Sequence, residues 1–226
     1  MSLVIVFVCH NNESINRIIN YNHYIMFVGN EEIDEPFLNN EKIIIARNLE
    51  NNIEYEKKLL TFTAWYAISK NNLFKDYEYL CILEYDVCFD EDFENNLKQQ
   101  CELNNYFVIT FNESNNHHLI NVDADENILK EFLSLKDIDG NILNEINSWG
   151  CSTNQCITRM ILDNFVDWYF PSYLFIKEKH FTKLSYYHER LFMIYLKSKY
   201  IDYIKINGLS HSQSRSHGDG YNEINE

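Results

Sequence analysis

The chain has 226 residues, of which 46% are hydrophobic and 15% aromatic, enough for one folded domain with a substantial core. Its formal net charge of −15 argues against a surface for nucleic acid or anionic membranes, because both need clustered Lys and Arg. The six cysteines form no Cys-x-x-Cys pair, which indicates reduced core thiols in a cytoplasmic protein. No apolar segment approaches the ~20 residues of a membrane-spanning helix.

The first half of the chain alternates predicted strands and helices. Residues 3–8 are continuously apolar, which is typical of a strand buried on both faces. The predicted elements that follow are a helix at 13–21, strands at 23–28 and 43–46, a long helix at 53–70, a central strand at 79–83, a helix at 90–103 and a strand at 106–111.

The second half is richer in predicted helix. The polar segment 112–125 is predicted to be a loop, and the elements after it are helices at 126–135, 155–170 and 187–199 and a last strand at 201–206. The tail from residue 207 is polar, and we expect it to be mobile unless a ligand orders it. The alternating pattern predicts a single α/β domain, with a mostly parallel central sheet flanked by helices.

Two carboxylates, Glu84 and Asp86, stand at the end of the central strand. Alternation along an extended chain directs both to the same face, and an ionised carboxylate is costly to bury without a partner. Two carboxylates at the C-terminal end of a strand suit a hard cation, Mg²⁺ or Mn²⁺. The alternative is a solvated acidic turn that continues through residues 90–92.

Polar residues also follow the other predicted strands, where ligands of open α/β sheets bind. His10 and Asn11 follow the first strand, Arg47 follows the third, and Asn52 and Tyr55 open the predicted long helix. The sequence contains no Gly-rich phosphate loop. A phosphate would therefore be held by a metal or by a few side chains.

The segment Glu84-Tyr85-Asp86 resembles the metal-binding DxD-type motif of GT-A fold glycosyltransferases, with Glu in place of the usual first Asp. Residues 52–71 are also similar to the helix before that strand in some bacterial and viral sugar transferases. The resemblance implies a single GT-A-like (Rossmann-like) domain over 1–226. Its nucleotide-sugar-binding half would be 1–112, its acceptor-binding half 113–206, and its tail 207–226.

The resemblance implies a metal-dependent glycosyltransferase of the hexosyltransferase type. It would move a sugar from a nucleotide-diphosphate sugar, UDP-linked, to a hydroxyl of a glycan or another acceptor. Asp86, Glu84 and either His211 or His217 would hold Mn²⁺ or Mg²⁺ on the diphosphate. Glu189, at a predicted helix start, would take the proton of the acceptor hydroxyl and so give inversion.

Further ligand contacts follow from the same resemblance. The donor would be contacted by His10, Asn11, Arg47, Asn52, Tyr55, Glu84 and Arg215, the last of which suits a diphosphate. The acceptor would be bound by Trp149, Cys151 and Ser152, because an indole face suits a sugar ring and free helix N–H groups suit polar ligands.

Structural alternatives stand beside these roles. Glu189 can simply be a helix N-terminal carboxylate that the helix dipole stabilises, and Trp149 can be a core residue. His211 and Arg215 can belong to a surface tail. Two other functions also stay open: a metal-dependent phosphohydrolase or nucleotidyltransferase built on the same carboxylates, and a non-catalytic nucleotide-sugar-binding module.

Overall fold

The computed structural model describes residues 2–56, 58–59, 61–103, 106–115, 119–120, 124–150 and 153–211, and for residues 114, 115 and 211 it describes the backbone only. The first half contains β1 (Leu3–Cys9), α1 (Asn12–Ile18), β2 (Tyr24–Phe27), α2 (Glu35–Leu38), β3 (Ile43–Ile45), α3 (Thr61–Lys70), β4 (Tyr79–Glu84), β5 (Val87–Phe89), α4 (Phe93–Leu103), β6 (Val108–Thr110) and β7 (Ser114–Asn115). Short 3-10 helices lie at Ile19–Tyr21 and Ala46–Asn48.

The second half contributes more helix than strand. Its elements are α5 (Glu126–Ser134), β8 (Ser148–Trp149), β9 (Gln155–Thr158), α6 (Arg159–Tyr169), α7 (Tyr173–His180), α8 (Leu184–Ser198), β10 (Ile204–Lys205) and β11 (Leu209–His211). Further 3-10 helices lie at Gly140–Glu145, Phe170–Ser172 and Phe181–Lys183. Within the described ranges, no helix has both the length and the hydropathy needed to cross a bilayer.

The described strands form a seven-stranded central sheet in the order β10-β6-β9-β4-β1-β2-β3. Its strands pair in parallel except at β9, which runs antiparallel between β4 and β6. The predicted fold class, α/β with a mostly parallel sheet flanked by helices, is therefore confirmed. Two small antiparallel pairs, β5 with β11 and β7 with β8, lie outside this sheet.

The two faces of the sheet pack into separate hydrophobic cores. Val4, Val6 and Val8 face the core that contains α3, α6 and α8, whereas the residues between them face the core that contains α1 and α4. Leu80 and Ile82 of β4 belong to the first core, so Glu84, the next residue in the same alternation, is directed to the α3 side.

The predicted long helix at 53–70 is wrong in its first half, because helix α3 begins only at Thr61. Two acidic side chains in the preceding segment bind residues that are distant in the sequence. Glu54 accepts a hydrogen bond from the backbone N–H of Gly29, and Glu56 is paired with Lys177. These long-range contacts hold the segment in turns, and Asn52 and Tyr55 therefore do not open a helix.

The central strand, predicted at 79–83, is one residue longer in the structure. β4 ends at Glu84, and Tyr85 and Asp86 form a turn before β5. β5 leaves the central sheet and pairs with β11 instead. The expectation that Glu84 and Asp86 share a face of one extended strand is therefore wrong, because alternation does not continue through a turn.

Three boundaries in the second half also differ from prediction. Residues 155–158 form strand β9 rather than the start of a helix, because they pair with β4 and β6 on both sides. Helix α8 begins at Leu184, three residues before the predicted start at 187. The tail contains β11, whose pairing partner β5 lies far away in the sequence, while residues 212–226 lie outside the described residues.

Candidate active site

Glu84 makes three hydrogen bonds with two other parts of the chain. Its Oε1 accepts from the hydroxyl of Thr61 at 2.7 Å and from that of Thr153 at 2.6 Å. Its backbone N–H donates to Oδ1 of Asn154 at 2.6 Å. Glu84 therefore joins β4 to the start of α3 and to the loop that precedes β9. Its second carboxylate oxygen, Oε2, accepts no hydrogen bond from the described residues.

Asp86 lies in the turn between β4 and β5, beside the final described strand. β11 pairs antiparallel with β5, so that His211 is opposite Val87, the residue after Asp86. Gly208 leads into this strand with a φ of +108°, and an added Cβ would lie 2.9 Å from Oδ1 of Asp90. Because His211 pairs with Val87, its backbone lies next to the turn at Asp86. Coordination of a metal by the His211 side chain stays a prediction.

The donor groups at this end of β4 are suitable for a hard divalent cation. Oε2 of Glu84 accepts no hydrogen bond from a described residue, and Asp86 offers a second carboxylate. The backbone of His211 lies next to the turn that contains Asp86. No cluster of three or more His, Cys, Asp or Glu side chains able to hold a metal occurs among the side chains that the structure describes. The side chains of His211 and His217 lie outside the described part of the chain. The fit to Mg²⁺ or Mn²⁺ therefore rests on the carboxylate oxygens of Glu84 and Asp86, which are the ligand type that these hard cations prefer.

His10 lies at the same end of the sheet as this acidic segment. β1 and β4 are adjacent, and Val8 pairs with Glu84. The exposed imidazole of His10 meets the ring of Tyr85 edge-on, with 4.9 Å between the ring centroids. Asn11 serves a local purpose, because its side chain caps α1 by accepting from the N–H of Ser14 at 2.7 Å. The structure therefore brings His10 to the predicted site and uses Asn11 as a helix cap.

The other predicted donor contacts brace the loops after β2 and β3. Arg47 donates through Nη1 to the carbonyl of Glu31 at 2.8 Å, and Asn52 donates to the carbonyl of Leu49 at 2.9 Å. The side chain of Tyr55 is open to solvent, with 69% of the residue exposed. Their contacts with a donor stay predictions, and Arg215 lies outside the described residues.

Glu54 was not predicted as a site residue, and the structure draws it to the end of β2. Its Oε2 accepts from the N–H of Gly29 at 2.7 Å, at the carboxyl end of β2. Burial raises the pKa of this carboxyl, while the Gly29 N–H and the charge of Arg47 oppose the shift. Its buried Oε1 has no hydrogen-bond partner in the described part of the chain. A single Glu in a polar segment carries no motif, so only the folded structure identifies it.

Trp149 is a core residue in this structure. Only 2% of it is exposed, and the guanidinium of Arg190 lies over its ring, 5.3 Å from the centroid. The ring has no open face for a sugar, which favours the core alternative over acceptor stacking. The next residue, Gly150, passes so close to β6 that an added Cβ would lie 2.7 Å from Oγ1 of Thr110. Cys151 and Ser152 lie outside the described residues.

Glu189 lies in the second turn of α8, and its predicted location at a helix start is wrong. The preceding residue, His188, is buried with its ring centroid 6.1 Å from that of Phe62. Burial, with a smaller effect of Arg190, lowers the pKa of His188 to about 3. Phe62 follows Thr61, which donates to Glu84. This part of α8 therefore packs beside the end of α3 that contacts Glu84, while proton transfer by Glu189 stays a prediction.

No protein-family model and no curated protein matches the chain. Among solved structures, it is similar to the mannosyltransferase Ktr4p from S. cerevisiae in complex with GDP, at 12% identity and a TM-score of 0.44, over 92% of this chain and 70% of that one. It is also similar to core-mannan synthase A from Aspergillus fumigatus in its Mn/GDP form, at 11% identity and a TM-score of 0.38, over 87% and 70% of the two chains. Similarity at this level does not assign an activity.

Proposed function

We propose that the chain is a metal-dependent glycosyltransferase, which transfers a sugar from a nucleotide-diphosphate sugar to a hydroxyl acceptor. The observation that carries this proposal is the meeting of three segments at the carboxyl end of β4. These segments are Glu84 with its threonine contacts, the turn at Asp86, and β11, which ends at His211. Ligands of open α/β sheets bind at this end of the strands.

The proposed roles follow from the chemistry of these residues. Asp86 and Glu84 provide oxygen ligands and His211 a nitrogen ligand for Mn²⁺ or Mg²⁺. A divalent cation bound there would offset the charge that develops on the leaving diphosphate. Glu189 accepts the proton of the acceptor hydroxyl, whose oxygen bonds to the anomeric carbon as the bond to the nucleoside diphosphate breaks; this single displacement inverts the anomeric carbon. His10, beside Tyr85, contacts the nucleoside.

Product analysis tests the reaction class. The full-length protein is incubated with UDP- and GDP-sugars, Mn²⁺ and a panel of hydroxyl acceptors, and the products are separated by chromatography. We expect a glycosylated acceptor together with the nucleoside diphosphate, UDP being the predicted one. Release of nucleoside monophosphate and sugar phosphate would instead identify a phosphohydrolase. Donor binding without any turnover would identify a non-catalytic binding module.

Two variants assign the reaction to this site. Asp86→Asn should abolish transfer, because a neutral amide is a poor ligand for a hard cation. Glu91→Gln removes one charge from the exposed acidic segment after β5 and should leave transfer unchanged. Equal effects of both variants, including no loss in either, would favour the acidic-turn alternative. The anomeric configuration of the product, read by NMR, tests inversion, and Glu189→Gln tests the proposed base.

A further inference from the structure

The hydrogen bonds to Glu84 are unevenly distributed over its carboxylate. Both threonine hydroxyls donate to Oε1, at 2.7 Å and 2.6 Å, and no described residue donates to Oε2. A carboxylate oxygen has two lone-pair positions in its plane, so two short hydrogen bonds occupy the accepting capacity of Oε1. Only Oε2 is then available to a cation.

The two hydroxyl donors come from segments that are separate in the sequence. Thr61 is the first residue of α3, and Thr153 lies in the loop before β9. Both residues are buried, so their side chains have little freedom to turn away from Glu84. Asn154, next to Thr153, accepts from the backbone N–H of Glu84 at 2.6 Å. The carboxylate and the main chain of Glu84 are therefore held by the same loop.

We propose that Thr61 and Thr153 are positioning residues of the cation site. They hold Oε1 of Glu84 and thereby present Oε2 as a single oxygen ligand. This inference rests on the proposed function, because it requires a divalent cation at Glu84 and Asp86. Hydrogen-bond partners that orient metal ligands in this way typically contribute about 10- to 100-fold to metal affinity. The hydrogen bond from Thr153 also connects the proposed cation site to the loop before β9.

A purely structural role makes a different prediction. If the hydroxyls only satisfy a partly buried carboxylate, their removal lowers stability and leaves cation affinity unchanged. Cation affinity measured without donor or acceptor therefore separates the two roles. Free Mn²⁺ has a strong electron paramagnetic resonance signal that is lost on binding, so a titration of the full-length protein gives the Kd directly.

Variants that keep the side-chain volume but lack the hydroxyl test the positioning role. Thr61→Val and Thr153→Val remove a hydroxyl and keep the volume, and we expect each to raise the Mn²⁺ Kd by about 10-fold. Thr61→Ser and Thr153→Ser keep the hydroxyl and should restore affinity. Thr63→Val is the matched control, because Thr63 is a buried threonine of the same helix without a hydrogen bond to Glu84. Its Kd should equal that of the wild type.

The outcomes separate this inference from the proposed function. If the valine variants fold and bind Mn²⁺ as tightly as the wild type, while Asp86→Asn does not bind, the positioning role is overturned and the metal site stands. If the wild type itself binds no Mn²⁺, or Asp86→Asn binds it equally well, both proposals are overturned. Should Thr61→Val fail to fold, Thr153→Val and Thr153→Ala, both in a loop, decide the question.

Discussion

His188 makes the stability of the protein depend on pH in a defined window. Its imidazole is 2% exposed, and neither ring nitrogen has a hydrogen-bond partner among the described residues. Burial lowers its pKa from 6.5 to about 3, and the nearby charge of Arg190 acts in the same direction. The folded protein therefore keeps His188 neutral at pH values where the unfolded chain protonates it.

The size of the effect follows from proton linkage. Below pH 6.5 the unfolded state binds a proton that the folded state does not, so the free energy of unfolding decreases as the pH falls towards 3. Well above pH 6.5 both states keep His188 neutral, so the residue has no effect on stability. Below pH 6.5 the free energy of unfolding falls progressively. At pH 5 the loss amounts to about 2 kcal/mol, since each pH unit in the window changes the free energy by ~1.4 kcal/mol.

Urea denaturation of the wild type and of His188→Leu, at pH 8 and pH 5, measures this contribution. Other groups titrate in both proteins, so the difference between their pH dependences isolates His188. We expect the wild type to lose about 2 kcal/mol more than the variant between the two pH values. An equal loss in both proteins would refute the reasoning, because His188 would then titrate alike in the folded and unfolded states.

Two further variants test packing around the site. Lys177→Met leaves the buried carboxylate of Glu56 without the Nζ that now lies 2.7 Å from both its oxygens, and with only the hydroxyl of Tyr173 as donor among the described residues. This should cost about 2 kcal/mol of unfolding free energy in urea. Adding Glu56→Gln should recover part of that loss, and no recovery would contradict the pairing. Gly150→Ala should cost about 1–3 kcal/mol in thermal unfolding through its contact with Thr110. Adding Thr110→Ala to Gly150→Ala should recover part of that loss, because it removes Oγ1 and Cγ2 and leaves only Cβ of Thr110 close by. No recovery would contradict the clash.

Much of the sheet could be predicted from the sequence because its strands are continuous apolar runs. β1, β2, β3 and β6 all lie within or overlap the predicted segments, and helix α5 matches its prediction closely. These elements carry their own signal, since β-branched and aromatic runs favour strands and the apolar spacing of 126–135 favours a helix. The fold class follows from their alternation with helices.

Elements that depend on distant partners could not be predicted. β9 contains Gln155 and Thr158 and reads equally well as the start of a helix, and only the pairing with β4 and β6 makes it a strand. The same holds for β11, which is short and polar and exists as the partner of β5. The turn at Asp86 lies directly before this pairing, which begins at Val87.

The candidate site could also be predicted only in part from the sequence. The position of two carboxylates near a strand end indicated Glu84 and Asp86. The resemblance to GT-A glycosyltransferases indicated His211, whose backbone lies beside the turn at Asp86. The threonine contacts of Glu84 carry no sequence signal, because Thr61 and Thr153 belong to no motif and are brought together only by packing. Trp149 shows the converse, since a residue type that suits a sugar is used in the core.

The most direct test of the central claim is a thermal-shift measurement of the full-length protein with UDP- or GDP-sugars, in the presence and absence of Mn²⁺. A ligand at 100-fold excess over its Kd stabilises the folded state by about 2.7 kcal/mol, which raises Tm measurably. We predict a donor-induced shift that requires Mn²⁺ and disappears in Asp86→Asn. Absence of a shift with every donor, or an equal shift in Asp86→Asn, would contradict a nucleotide-sugar site at the end of β4.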